Sequence, residues 1–196
     1  MMDPDAQRML QFQKGERAAF ETLFEKYHRP VLNFCFRFLG NAHDAEDIAQ
    51  DTFLQVYQAA PRYQPLTKFS TWLYTIAKNL CLNRLREGRQ EASESLNPFT
   101  EDEEESLSLE EKIPAEAPGP DEELEEKKIS EIVQGAIRDL PASIRLPLIL
   151  SRYQELSYEE IAQILGCSVT AVKLRLHRAK RVLAKKLAPY LNPGSS

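Results

Sequence analysis

Apolar residues recur along this chain at the three- and four-residue intervals of helices rather than in the alternation of strands. Over 16–39, Phe20, Leu23, Phe24, Tyr27, Val31, Leu32, Cys35 and Phe38 form one stripe, which predicts a long helix that Pro30 bends or splits. A second helix is predicted over 42–59, with Ala45, Ile48, Ala49, Thr52, Phe53 and Val56 inward, ending before Pro61. A third, over 70–87, buries Trp72, Leu73, Ile76, Ala77 and Leu80, with Gly88 as its closing cap. Three such amphipathic helices make a self-contained bundle.

The periodicity then stops. Residues 91–123 hold four Pro, one Gly and almost no periodic apolar positions, so they bury too little to offset their ordering entropy. They read as a flexible tether between two domains, with a solvated acidic loop as the bland alternative. Beyond it, 124–140 is amphipathic through Ile129, Ile132, Val133, Ala136 and Ile137, and further helices are predicted over 142–153, 158–165 and 169–187. Pro147 falls inside the second of these four and is expected to kink it or shift its start. The expected fold is all-α: two small helical bundles, 1–90 and 124–196, joined by an acidic linker over 91–123. Only 7 Gly and 42% hydrophobic residues suit such a fold better than a many-turned β fold.

Charge sharpens the division. The chain carries −5 overall, but 91–126 holds 15 Asp/Glu against one Lys, a local −14 that leaves +9 for the other 160 residues. The acidity belongs to the linker, so the net charge does not argue against nucleic acid. Cys35, Cys81 and Cys167 are odd in number, far apart and without C-x-x-C spacing. They read as small buried hydrophobes in a reducing cytoplasm, not as a disulfide framework or a zinc site. The N-terminus lacks the order of a signal peptide, and no run approaches the roughly 18 apolar residues of a membrane span.

The strongest local signal is LSYEEIAQILGCSVTAVKLRLHRAKRVL, residues 156–183. Ser157 with Glu160 has capping-box spacing, Gly166 supplies a sharp turn, and Ser168 can cap the next helix. Ile161, Ala162, Leu165, Val172 and Leu176 are spaced as the interior of a helix pair. From Ser168 onward there are seven Lys/Arg and no acid. Turn, caps, apolar spacing and charge together describe a helix-turn-helix that places its second helix in a DNA major groove. The alternative is a solvated or partner-binding basic helix. On the face away from Val172, Leu176 and Ala179 lie Thr170, Lys173, Leu174, His177 and Arg178, the candidate base readers; Arg175, Lys180 and Arg181 suit phosphates.

Two features mark the N-terminal bundle. In NAHDAEDIAQDTFLQVYQ, residues 41–58, Asp44, Asp47 and Asp51 make an acidic stripe, which spacing alone leaves open between a docking surface and a solvated face. In PRYQPLTKFSTWLYTIAKNLCLNRLRE, residues 61–87, Tyr63, Phe69, Trp72 and Tyr74 interleave with Arg62, Lys68, Lys78, Arg84 and Arg86. That pattern suits single-stranded DNA, whose bases stack on rings while cations follow the backbone; packing of the rings in the core is the competing reading.

Taken in this order, the motifs resemble those of extracytoplasmic-function sigma factors, the two-domain type of bacterial sigma factor, over nearly the whole chain. DAEDIAQDTFLQVY resembles the helix that docks on the polymerase clamp, KFSTWLYTIAKNLCLNRLR the segment that melts and reads the minus-ten element, and SYEEIAQILGCSVTAVKLRLHRAKR the minus-thirty-five reader. The resemblance implies that Asp44, Glu46, Asp47, Gln50 and Asp51 face polymerase. It implies that the loop from Arg62 to Phe69, with Tyr63, Lys68 and Trp72, takes a flipped minus-ten base, with Lys78, Asn79, Asn83 and Arg84 on adjacent DNA. Ser168, Thr170, Lys173, Leu174, Arg175, His177, Arg178 and Arg181 would read the minus-thirty-five element. Thr170 and Leu174 depart from the family's usual Gly and small polar residue.

The implied partners are core RNA polymerase, promoter DNA as duplex and melted strand, and an anti-sigma factor; the free protein is expected to be monomeric, with its two domains loosely tethered. No cofactor or metal is implied. A stand-alone helix-turn-helix regulator is the alternative function, but it leaves 41–87 unexplained. Nucleotide-loop, metalloprotease and catalytic-triad patterns do not occur, so no enzyme is expected.

Overall fold

A computed structural model describes residues 2–90 and 120–191. Among the described residues there are eight α-helices, one 3-10 turn and no strand. The first helix, α1, spans Pro4–Gln13 and lies where the sequence reading places no element. Asp3 caps it by accepting from the amide of Ala6 at 3.1 Å, and Pro4 occupies the first turn, where its missing N–H costs nothing. The stripe of α1 is hard to see because a charged residue interrupts it: Asp5 is buried together with Ala6 and Met9.

Helix α2 (Arg17–Leu39) carries Pro30 within it as one helix, not two. It ends at Gly40, whose left-handed φ of 77° lets its amide reach Phe36 O at 2.8 Å. Helix α3 (Ala42–Ala59) has the six inward residues read from its spacing, capped by Asn41. The 3-10 turn Ala60–Arg62 then leads through a short loop to α4 (Phe69–Gln90). The expected cap at Gly88 is corrected here: α4 continues through Gly88 to Gln90, since one glycine costs an interior turn only about 1 kcal/mol.

Residues 91–119 of the expected linker lie outside the described residues. Helix α5 (Pro120–Arg138) starts four residues before the expected boundary, with Pro120 at its first position. It is followed by α6 (Ala142–Tyr153), α7 (Tyr158–Leu165) and α8 (Val169–Leu191). Pro147 sits inside α6, and α6 still starts where its periodicity places it.

Helix α6 joins the two halves. Seven successive residues, Ile144 to Leu150, are buried, which a helix with one apolar face cannot achieve. It packs on α7 and α8 of its own bundle and on α2 of the other. The apolar core therefore runs from Phe34, Phe38 and Leu73 through Ile149 and Leu150 to Ile161 and Val172. Burying each such side chain contributes about 1.5–3 kcal/mol, which favours the packed arrangement over the loose tethering expected from sequence.

Candidate nucleic-acid interface

The helix-turn-helix forms from the signals that announce it. Ser157 Oγ accepts from Glu160 N at 3.2 Å and Glu160 Oε2 accepts from Ser157 N at 2.9 Å, so the two satisfy each other's free amides. Gly166 turns the chain at φ 64° and ψ 41°, and Cys167 N donates to Ala162 O at 3.0 Å. Ser168 Oγ accepts from Ala171 N at 3.1 Å at the start of α8. Ile161, Ala162, Ile164, Val172, Leu176 and Ala179 are buried between the helices; Ile164 takes the interior place that spacing gives to Leu165, which is half-buried.

Packing that side of α8 inward sets the opposite side outward. Ser168, Thr170, Lys173, Leu174, Arg178 and Arg181 are exposed, with Arg175 and His177 half-buried. Arg175 bends back to Cys167, its guanidinium 3.5 Å from Sγ. The exposed face combines cations, a hydroxyl and one apolar side chain. Such a set can contact both phosphates and base edges in a major groove.

The second candidate surface is the Arg62–Phe69 loop with α4. Residues of α1 that sequence reasoning passes over hold this loop. Asp3, already capping α1, also accepts from Phe69 N at 2.8 Å, and Gln13 Nε2 donates to Ala60 O at 2.9 Å and Tyr63 O at 3.2 Å. Phe69 and Tyr63 are buried, while Trp72 is half-exposed with its ring 4.8 Å from that of Tyr63 and 5.8 Å from that of Phe69. Tyr63 Oη and, on α4, Thr71 Oγ1 are buried without a hydrogen-bond partner. Burial, with the negative charge of Asp3, pushes the Tyr63 hydroxyl up to about 12. Arg62, Lys68, Asn79 and Asn83 are exposed, and Leu66 at the loop tip is 84% exposed.

Helix α1 is itself anchored by Asp5, which takes an ion pair from Arg8 at 3.0 Å, another from Lys26, and the hydroxyl proton of Tyr27 at 2.7 Å. Burial pushes its carboxyl up, but the hydrogen bonds from Lys26 and Tyr27 and the nearby cations outweigh that, holding it below the usual carboxylate range.

The acidic stripe on α3 is divided. Asp44 pairs with Arg84 at 2.9 Å, and Asp47 lies 4.0 Å from Arg84 and 3.7 Å from His43. Glu46, Gln50 and Asp51 are exposed, next to the exposed apolar side chains of Leu54 and Tyr57. Thus α3 presents an acidic and apolar strip, whereas α8 presents a basic one. Among the described residues no group of three or more His, Cys, Asp and Glu could hold a metal ion, and no helix is long and apolar enough to cross a membrane.

These features define a helix-turn-helix DNA-binding protein with a second helical module that carries aromatic, basic and acidic surfaces. Comparison with known proteins agrees. The family model of sigma-70 region 2 matches residues 23–91, and that of sigma-70 region 4 matches residues 130–183. The chain is 35% identical over 180 residues to an ECF RNA polymerase sigma factor of Bacillus subtilis, SigW, covering 92% of this chain and 95% of that protein. It is 31% identical over 194 residues to the RNA polymerase sigma-H factor of Pseudomonas aeruginosa, covering 96% of each. In fold it is similar to CnrH, solved with the cytosolic domain of CnrY, at a TM-score of 0.67 and 22% identity over 98% of this chain and 100% of that one. It is likewise similar to a sigma factor RpoE of Bartonella quintana, solved with the anti-sigma factor NepR, at a TM-score of 0.64 and 24% identity over 86% and 96% of the two chains. The chain belongs to the sigma-70 family, among its extracytoplasmic-function sigma factors. Its function is that of an alternative sigma factor, which binds core RNA polymerase and directs promoter-specific transcription initiation.

Proposed function

We propose a division of labour along the chain. Residues 1–90 dock on the polymerase clamp and read and melt the minus-ten element, 91–123 connect, and 124–196 read the minus-thirty-five element. Asp44, Glu46, Asp47, Gln50 and Asp51 form the polymerase face. Arg62, Tyr63, Lys68, Phe69, Trp72, Lys78, Asn79, Asn83 and Arg84 form the minus-ten surface. Ser168, Thr170, Lys173, Leu174, Arg175, His177, Arg178 and Arg181 form the minus-thirty-five surface. The observation that carries this reading is the segregation of exposed charge: Glu46 and Asp51 on α3, against Lys173, Arg178 and Arg181 on α8.

Within the minus-ten surface the buried rings have a structural part. Tyr63 and Phe69 shape the loop, while Trp72, Arg62 and Lys68 meet an unstacked base and its phosphates, a reading supported by the half-exposure of Trp72 and the exposure of the two cations. The chain catalyses nothing itself; polymerase supplies the chemistry. It works in the cytoplasm as a monomer when free, held in check by an anti-sigma factor, a partner class supported by the similar fold of the sigma factor RpoE of Bartonella quintana, solved with the anti-sigma factor NepR.

The test separates the surfaces. Affinity for core polymerase is measured by fluorescence anisotropy, and minus-thirty-five recognition by footprinting of the polymerase complex. Asp51→Lys is expected to weaken polymerase binding, whereas Lys173→Ala is expected to leave it intact and to lose upstream protection. Removing the hydrogen bonds from Lys173 to a guanine corresponds to about 5- to 150-fold in discrimination. Equal polymerase affinity for both variants would overturn the assignment of α3.

A further inference from the structure

The loop that leads into α4 is held at both ends by α1. At its exit, α4 begins at Phe69, and the carbonyl of Lys68 accepts from Trp72 N at 3.2 Å. Lys68 therefore stands at the N-cap position, where its side chain, with donors only, cannot satisfy a free amide. Asp3 supplies the acceptor from 66 residues away. Its Oδ2 accepts from Phe69 N at 2.8 Å and from Ala6 N at 3.1 Å. One carboxylate oxygen thus caps α1 and α4 together, and its charge favours both helix starts.

At the entry, Gln13, the last residue of α1, donates through Nε2 to Ala60 O at 2.9 Å and to Tyr63 O at 3.2 Å. From Asp3 to Gln13 the two anchors stand about 15 Å apart along the helix axis. Helix α1 is in turn fixed to α2, because Asp5 pairs with Lys26 and accepts from the hydroxyl of Tyr27. The Tyr27 ring also lies 5.4 Å from that of Phe69. Inside the loop, Leu66 N donates to Gln64 O at 2.9 Å and Thr67 Oγ1 to Lys68 O at 3.4 Å. Bonds between such near neighbours shape the loop locally and do not set its place on the bundle.

We propose that α1 is a strut for the minus-ten loop, with Asp3 and Gln13 as positioning residues that set base selectivity without touching DNA. Fixing both ends before DNA arrives keeps Arg62, Lys68 and Trp72 in one geometry, so less of the binding energy goes into ordering the loop. A loop freed at one end offers the same rings and cations in several arrangements and distinguishes the bases less well. The selectivity half of this inference rests on the assignment of the Arg62–Phe69 loop to minus-ten DNA; the strut itself rests on the hydrogen bonds.

Trp72 is the single tryptophan of the chain, with its ring 4.8 Å from that of Tyr63, so its fluorescence reports the loop without DNA. The test uses Gln13→Ala, Asp3→Ala and Asp3→Asn in the full chain. Gln13 is exposed and alanine is the strongest helix former, so α1 persists in the first variant. Asparagine keeps an acceptor oxygen for both caps in the third. Both alanine variants are expected to shift Trp72 emission to the red and to increase its quenching by acrylamide, with Asp3→Asn close to wild type. An unchanged Trp72 signal in both alanine variants would overturn the strut.

Each chain is then assembled with bacterial core polymerase and given a promoter library randomised across the minus-ten and minus-thirty-five elements, and the run-off transcripts are sequenced. Minus-ten base preference is expected to fall about fivefold in each alanine variant, the equivalent of one net hydrogen bond, and to return in Asp3→Asn. Affinity for core polymerase and minus-thirty-five preference are expected to stay at the wild-type level. An equal fall at both elements, or a matching loss of polymerase affinity, would show general destabilisation and overturn the positioning role. A changed Trp72 signal with unchanged minus-ten preference would uphold the strut and overturn the assignment of the loop to minus-ten DNA.

Discussion

The guanidinium of Arg84 on α4 lies 2.9 Å from the carboxylate of Asp44 on α3, tying a residue of the proposed DNA surface to one of the proposed polymerase surface. Asp47 at 4.0 Å and Glu87 at 3.8 Å complete a small network around the same cation. Both members of the closest pair are partly exposed, so their coupling is modest, about 0.5 kcal/mol. A double-mutant cycle with Arg84→Ala and Asp44→Ala, followed by urea unfolding, is expected to return that coupling; strictly additive effects would show that the pair does not form in solution.

Asp5 is a stronger anchor because it is buried and serves three donors. Asp5→Asn is expected to cost about 2 kcal/mol at neutral pH, since hydrogen bonds to a buried charge are worth more than neutral ones. The carboxyl is held below its ordinary value of 3.8 in the folded chain. Its contribution is therefore complete above that value and is lost as the pH falls through the lower folded value. Acid titration of stability should show the gap between wild type and variant shrinking below about pH 4; a gap independent of pH would contradict this role.

Glu155 is the one described non-glycine residue with positive φ, at 53°. It follows α6 where a helix commonly ends in a left-handed glycine, and Leu156 N reaches back to Leu150 O at 3.4 Å. The left-handed conformation costs an L-residue about 1–2 kcal/mol, partly offset by the entropy a glycine adds to the unfolded chain. Glu155→Gly is expected to raise Tm by about 2 °C and Glu155→Val to lower it. A lower Tm for the glycine variant would show that the side chain supplies something else.

The cysteines divide by environment. Cys35 and Cys81 are fully buried with their sulfurs 3.7 Å apart, and the hydrogen bond to Cys35 together with burial raises the Cys81 thiol well above its ordinary value. Cys167 is half-exposed beside Arg175. Iodoacetamide at neutral pH is expected to label Cys167 first, with Cys35 and Cys81 reacting only after unfolding. Early labelling of Cys81 would contradict the core described for α2 and α4.

How much of the fold is legible in the sequence depends on where the information lies. The capping box at Ser157, the turn at Gly166 and the apolar spacing through Val172 and Leu176 are local, and α7 and α8 can be read from them. Helix α1 escapes such a reading because Asp5 occupies an inward position, so its burial depends on Lys26 and Tyr27 rather than on its own neighbours in sequence. The packing of the modules escapes it for a different reason. Several of its polar contacts end on main-chain carbonyls, Ile164 O and Phe38 O among them, which every residue possesses and no side-chain pattern announces. The run Ile144–Leu150, apolar but for Arg145, is the available signal, because a helix apolar on more than one face needs neighbours on two sides.

Within the candidate site, the exposed face of α8 follows from helical geometry once the interior is fixed. The positions of Tyr63 and Phe69 do not, because an aromatic interleaved with cations has the same sequence signature whether it stacks on a base or fills a core. Only the loop geometry set by Asp3 and Gln13 distinguishes the buried rings from the half-exposed Trp72.

Run-off transcription with bacterial core polymerase, the purified chain and a library of promoter fragments decides whether these surfaces act as a sigma factor. Discrete transcripts that require the chain, and disappear with Asp51→Lys or Lys173→Ala, are the expected result. No transcript from any fragment, together with tight binding of the free chain to one duplex sequence without polymerase, would instead make the chain an ordinary operator-binding regulator.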